Sequence, residues 1–450
     1  MIRKRVGLVV QVLAAGPGIS KVAVIVEGRR ELAVNYNDLT GPVSQGDLVL
    51  LNTTALHLGL GTGGVHFVYH NFSRPLPPFQ EGGHIMKMRY APGQLKVLSC
   101  EEEAAGYREQ LEAFGGLQGM PVLIGELHSM LAPAAAVIKY YQPRCRLVYL
   151  MTDGAALPLA FSRTVAELKE KGLIQTTITC GHAFGGDLEA VNVYSGLAAA
   201  RQIAGADLVI ITMGPGNVGT GTRLGFSGME VGEHVNRVYA LGGIPVVIPR
   251  LSWAERRRRH RGISHHTLTA LKIAALAPAC LPLPAALPPG RLKLLLARLS
   301  REGLLRRHRW QLCPVPPLER ILESFGLEQP TTMGRSFRED PDFFLAAGAA
   351  GLAALKLTHL YRREGEWHGG KIKGNAAGIR RPVPGTDHQC PAGPGPHPGG
   401  EGRFPRSSGT PGRRGHPGPG RGGEGGLTAA IPASHRPGNL GDPGGEAGAR

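Results

Sequence analysis

Between Leu208 and Arg223 an apolar run gives way abruptly to Gly214-Pro215-Gly216-Asn217-Val218-Gly219-Thr220-Gly221-Thr222-Arg223. A buried strand that ends in glycines interleaved with hydroxyls and an arginine lets bare backbone approach a ligand, and its amides and cation suit an anion. Asn217, Thr220 and Thr222 are candidate donors there, and Arg223 is the candidate charge partner. Gly214, Gly216 and Gly219 also spell Gly-x-Gly-x-x-Gly, the form of a dinucleotide fingerprint. Two departures argue against it: helical patterning resumes only near Gly228, and the next strand ends in Pro249-Arg250 where a ribose-binding acid belongs. The loop holds no Gly-Lys-Ser/Thr, which excludes a P-loop as written.

Other polar groups follow apolar runs in the same way. Glu126 and His128 come after one such run, Asp153 after the next, and Arg250 and Ser252 after the last. Glycines on both sides of His182 expose it for acid–base work or ligation. Asp187 reads either as the N-cap of a helix beginning at Leu188 or as an acid–base group. Cys180 reads as a buried strand residue, with a nucleophile as the alternative. In Arg261-Gly262-Ile263-Ser264-His265-His266-Thr267 the serine is a natural helix cap, and histidines in a first turn are held neutral, as metal ligands or bases require. Asp153, His182, Asp187, His265 and His266 are therefore the candidate catalytic residues. His182, Asp187 and one of the paired histidines could hold a metal, although no spacing dictates it and no motif specifies a cofactor. Arg335, in the polar turn Thr331–Arg335, is a second candidate anion contact beside the plainer reading of a capped loop.

The elements that must position these groups have two textures. Residues 1–92 contain short runs at Val6 to Leu13, Val22 to Val26, Glu31 to Val34, Asp47 to Asn52 and Val65 to Tyr69, split by Gly, Pro and Asn turns. They predict a small all-β, barrel-like domain. The cations and apolar residues of Met1 to Ala15 resemble a signal peptide superficially, but Gln11 interrupts the run and the reading is a strand. Gly59 to Gly64 reads as a hairpin loop. Residues 93–290 alternate strand and helix, with strands at Leu95 to Ser99, Pro121 to Gly125, Arg146 to Thr152, Thr176 to Cys180, Leu208 to Met213 and Ile244 to Pro249. Intervening helices are expected at Ser129 to Tyr141, Ser162 to Gly172, Leu188 to Ala204 and Met229 to Leu241. Short, nearly all-apolar strands belong to a parallel sheet covered on both faces, so the fold class is α/β, a Rossmann-like doubly wound sheet. Ligands then bind beyond the carboxyl ends of the strands. Residues 291–362 are expected as an α+β segment packing on that domain, with a strand near Trp310 to Cys313. From 363 to 450 the chain is rich in Gly, Pro and Arg and cannot bury a core, which reads as a disordered tail. The abrupt loss of patterning equally fits out-of-frame translation.

The formal net charge of +17 is concentrated in Arg250 to Arg261, Arg291 to Arg309 and the tail, leaving a neutral body. These patches support an alternative reading, a non-catalytic nucleic-acid-associated or regulatory protein using its barrel and the arginine cluster. Only Trp253 and Trp310 lie among the cations, which weakens base stacking. The six cysteines lack paired spacing, so neither a zinc finger nor a disulfide framework is indicated and a reducing cytoplasm fits. The apolar run Phe343 to Leu355 falls short of the ~20 residues of a membrane span. A soluble protein is expected, and a homo-oligomer stays open.

Thr177 to Asn192, Gly214 to Gly228, His260 to Thr269 and Thr332 to Arg335 resemble segments of an uncharacterised bacterial family of domains of unknown function, over residues 1–357. The resemblance implies no activity, and the tail departs from the family pattern. A fainter likeness of order, a β-rich start and Ala204 to Ile210 leading into a glycine loop, is to the component B proprotein of glycine and betaine reductases. The cysteine that forms a pyruvoyl group in those proteins has no counterpart here, so the likeness implies architecture only. The expected function is binding of a small phosphorylated or carboxylated anion at the strand ends; whether a reaction follows is left open.

Overall fold

The computed structural model describes residues 1–60, 64–75, 81–315, 317–327 and 330–358. The expected tail lies outside the described residues, as does the centre of the Gly59 to Gly64 loop.

The amino-terminal strands β1 (Lys4–Gly16), β2 (Ile19–Val26), β3 (Arg29–Tyr36), β4 (Leu48–Asn52) and β5 (His66–Asn71) close into a barrel of order β1-β2-β3-β5-β4. Alternation along β2 turns Val22, Val24 and Val26 into a core shared with Val9, Val49, Leu51 and Val68. Register shifts after Val9 and Val12 bend β1, the device by which a long strand serves two neighbours in a small barrel. The start of the chain is therefore a strand, as its interrupted apolar run implies.

A hairpin of β6 (Ile85–Lys87) and β7 (Leu95–Val97) follows. The expectation that Leu95 to Ser99 joins the parallel sheet is corrected here: β7 pairs antiparallel with β6, and only Ser99 touches the sheet, through a bridge to Glu189.

The α/β part is built on β8 (Pro121–Ile124), β9 (Leu147–Thr152), β10 (Thr176–Cys180), β11 (Leu188–Ala190), β12 (Leu208–Met213) and β13 (Ile244–Val247). After a short antiparallel pair, β14 (Leu251–Ser252) with β15 (Gly262–Ile263), the strands β16 (Cys280–Pro284) and β17 (Arg309–Cys313) complete it. The sheet has order β11-β10-β9-β12-β8-β13-β16-β17, and every pairing in it is parallel. Val122, Val148 and Val209 point to one face, where the helices Val193–Gln202, Glu230–Ala240 and Pro289–Arg301 cover them. Leu123, Tyr149 and Ile210 point to the other, under the helices Leu131–Tyr141, Arg163–Glu170 and Pro341–Leu357. Each fully buried Leu, Ile or Val contributes about 1.5–3 kcal/mol, so the two-sided cover is what makes near-continuous apolar strands stable.

A further correction concerns β11, and β17 adds a detail to the expected strand near Trp310. The helix expected from Leu188 begins at Val193, because Leu188 to Ala190 first pairs with β10. Its cap is Asn192, whose side chain accepts from the amides of Tyr194 and Ser195 in a capping box, and Asp187 has no part in it. The strand near Trp310 hydrogen-bonds directly to β16, so residues beyond 291 extend the sheet as well as pack on it.

The chain leaves β8 over one face towards β9 and leaves β12 over the opposite face towards β13. Because β8 and β12 are neighbours, their carboxyl ends open a crevice at the topological switch point, where such sheets bind ligands. No helix of the described residues is long and apolar enough to cross a membrane.

Candidate functional site at the switch-point crevice

Glu126 follows β8, Arg250 follows β13, and His266 lies in the helix His265–Thr269, whose cap Ser264 accepts from the His266 amide at 3.1 Å. All three side chains are nearly inaccessible, and they meet on one atom. Glu126 Oε1 accepts from Arg250 Nη1 at 2.8 Å, from His266 Nδ1 at 2.5 Å and from Asn217 Nδ2 at 3.3 Å. Burial alone would push the Glu126 carboxyl up; the His266 hydrogen bond and the Arg250 charge outweigh it and hold the group below its ordinary value. The carboxylate therefore stays ionised. Its second oxygen, Oε2, is buried without a partner.

His260 and His265 complete the cluster. The three imidazole centroids lie 4.4 to 4.8 Å apart, and Phe226 stacks on His266 at 3.7 Å. His260 Nδ1 faces Ser264 Oγ at 2.8 Å, while its Nε2 takes a hydrogen bond from Arg259 Nε at 3.3 Å. His265 Nε2 is buried and unpartnered. Burial, then the charge of Arg250, depresses His260 to about 3; burial, then His266 and Arg259, depresses His265 to about 4. Both rings are neutral at pH 7.

The glycine loop lies over this cluster. A Cβ on Gly219 would stand 3.4 Å from His266 Cε1 and 3.6 Å from its Nε2, and one on Gly221 would stand 3.5 Å from the exposed Arg259 guanidinium. At Gly228 a Cβ would come within 2.6 Å of Glu126 Cγ, so glycine is required for the loop to close over the carboxylate. The hydroxyls expected as ligand donors hold the loop's own shape: Thr220 Oγ1 and Thr222 Oγ1 are 2.9 Å apart, and Thr222 Oγ1 accepts from the Gly225 amide at 3.1 Å. Asn217 bridges Ser227 and Glu126. Gly214 packs where a Cβ would meet Ala156 O at 2.6 Å, whereas Gly216, at φ 107°, has open space around it. Arg223 is exposed on the loop.

The remaining candidates lie apart from this cluster in their contacts. Asp153 Oδ2 accepts from the His182 amide at 2.9 Å, a contact that passes close over Gly181, and His182 Nδ1 accepts from the Met88 amide at 3.0 Å. Parallel register sets Asp187 beside Thr177, at the start of β10, where it accepts from the Thr177 amide and hydroxyl, both at 2.8 Å, and pairs with Lys169. His182 and Asp187 do not join His265 or His266: among the described residues the group of three potential metal ligands is His260, His265 and His266. Arg335 is committed to Asp340 at 3.0 Å and to Glu255 at 3.7 Å. Arg257 is likewise bound to Glu255 at 2.8 Å, so the arginine cluster is partly neutralised.

Of the crevice residues, His260 had no sequence-level role assigned, and Glu126 and Arg250 were named only as strand-end groups. The signal for His260 was its spacing to the pair, His260-x4-His265-His266, hidden inside an arginine run. Two hollows, of about 340 Å³ beside Arg3, Glu31 and His66 and about 320 Å³ beside Lys139 and Phe325, contain none of these residues. The crevice is marked by its unpaired polar atoms, Glu126 Oε2 and His265 Nε2.

Comparison with curated proteins gives no match, and comparison with solved structures gives none. A family model described as a protein of unknown function (DUF3866) matches residues 32–351, including the second half of the barrel, the whole sheet and the crevice. That match does not carry the likeness to the reductase component B. Extending over more than half of the sequence, it establishes that the chain belongs to the DUF3866 family.

Proposed function

We propose that this is a cytoplasmic protein that binds a small phosphorylated or carboxylated anion in the crevice between β8 and β12. One observation carries the reading: at the switch point, beneath a glycine loop that almost touches His266 and Arg259, Glu126 Oε2 and His265 Nε2 are buried with no hydrogen-bond partner. An unpaired buried polar atom costs about 1–3 kcal/mol, and a ligand hydroxyl, such as that of a protonated phosphate or of citrate, recovers it by donating to the ionised Glu126 Oε2, which can only accept. Arg259 at the rim and Arg223 on the loop are the charge partners; Glu126 with His266, and neutral His265, are the groups able to take or give a proton. The free thiols of the described cysteines fit a reducing compartment.

Titration calorimetry of the full chain with inorganic phosphate, and separately with citrate, tests this. Binding is expected for one of them, weakened about tenfold or more by Arg259→Ala, the loss of one charge-assisted hydrogen bond. Equal binding by wild type and Arg259→Ala, or no heat with either anion, contradicts it.

A further inference from the structure

We infer that His260, His265 and His266 form a site for one divalent transition-metal ion, with zinc as the reference case. The inference deepens the reading of the crevice, but metal uptake is measured without any anion, so the two fail separately.

The donor nitrogens of the three rings lie within 4.8 Å of one another. A tetrahedral ion with bonds of about 2.1 Å sets its ligands about 3.4 Å apart, so ring rotations of roughly an ångström close the set. The hydrogen bonds fix which nitrogens are free. His266 Nδ1 donates to Glu126, so Nε2 is the nitrogen left to face an ion, the arrangement in which a carboxylate orients a metal-bound imidazole. His260 Nε2 accepts from Arg259 Nε and so carries a lone pair as well, with Nδ1 directed to Ser264. His265 Nε2 is buried and bonded to nothing. Histidines packed edge to face only as core would have every nitrogen satisfied, and His265 Nε2 is not.

Space and charge agree. Gly219 presents no side chain towards His266 Nε2. The Arg250 charge is already met by Glu126, and Arg259 is exposed, able to swing from His260 Nε2 towards an anion at the ion's open position.

The full chain, stripped with chelator and dialysed against excess zinc, is expected to retain one zinc per chain by elemental analysis, and its cobalt form to show tetrahedral d–d absorption. His260→Ala with His265→Ala in one chain is expected to retain none while keeping the wild-type circular dichroism. Glu126→Gln is expected to weaken zinc by about tenfold to a hundredfold, and His182→Ala to leave it unchanged. A wild-type protein that retains no zinc and no cobalt overturns the proposal without recourse to any variant. So does zinc kept by the folded double variant, or lost on His182→Ala alone.

Discussion

Two histidine environments begin two residues apart, after the same strand, and differ in one respect. His128 is half-buried with every polar atom met: its Nε2 accepts from Ser162 Oγ at 2.6 Å, and its Nδ1 lies 3.3 Å from Met213 O and 3.2 Å from Tyr149 Oη, which itself reaches Thr212 at 3.1 Å. The cluster headed by Glu126 is more deeply buried at Glu126, His260 and His266 yet leaves Glu126 Oε2 and His265 Nε2 unmet. A closed network stabilises the fold by joining β8, β9, β12 and the cap of the helix Arg163–Glu170. An open one holds polar groups ready for something else. The contrast assigns structure to His128 and ligand binding to the Glu126 cluster, although both follow β8.

The largest expected effect that sharpens this contrast is on the closed side. His128→Ala strands Ser162 and Met213 O in a dry interior, and a loss of about 2–4 kcal/mol is expected by urea denaturation. Anion binding by the folded fraction should persist; a stable His128→Ala that no longer binds would reverse the assignment.

Next comes pH. Burial, partly opposed by the hydrogen bond to Met213 O, depresses His128 to about 4, against about 6.5 when unfolded. Between those values the unfolded chain binds a proton that the folded chain refuses, so stability rises with pH across the window and is lost as pH falls from about 6.5 towards 4. His128→Gln should flatten that slope by about one proton. An unchanged slope would mean that His128 titrates freely, and its network would no longer count as closed.

The smallest effect is on the open side. His265→Ala removes an unpartnered nitrogen, so the melting temperature is expected to stay within about 2 °C of wild type or to rise, as when a functional residue is traded for stability. A fall as large as that of His128→Ala would make His265 a packing residue.

The sequence discloses the crevice more readily than its occupants. Glycines after an apolar strand mark where backbone must come close, and Gly219, Gly221 and Gly228 do lie against His266, Arg259 and Glu126. The barrel and the doubly wound sheet follow from alternation and from all-apolar runs. β16 was hidden because Pro282 and Pro284 lack amide hydrogens, which normally demotes a strand; its bonding with β17 runs along its whole length, whereas it meets β13 only at Val246. Asp187 was misread as a cap because the parallel register of three residues, Leu188 to Ala190, has no local signature. His260 was masked by charge, since four consecutive arginines read as a solvated face before they read as the rim of a site. Contacts between residues more than a hundred positions apart, such as Glu126 with Arg250 and His266, have no trace in one sequence.

The most direct test of the contrast follows imidazole resonances by long-range proton–nitrogen NMR while inorganic phosphate, then citrate, is added to the full chain. The account expects shifts for His265 and His266 that saturate with one of the two anions, and none for His128. Shifts at His128 with His265 and His266 unmoved would contradict it.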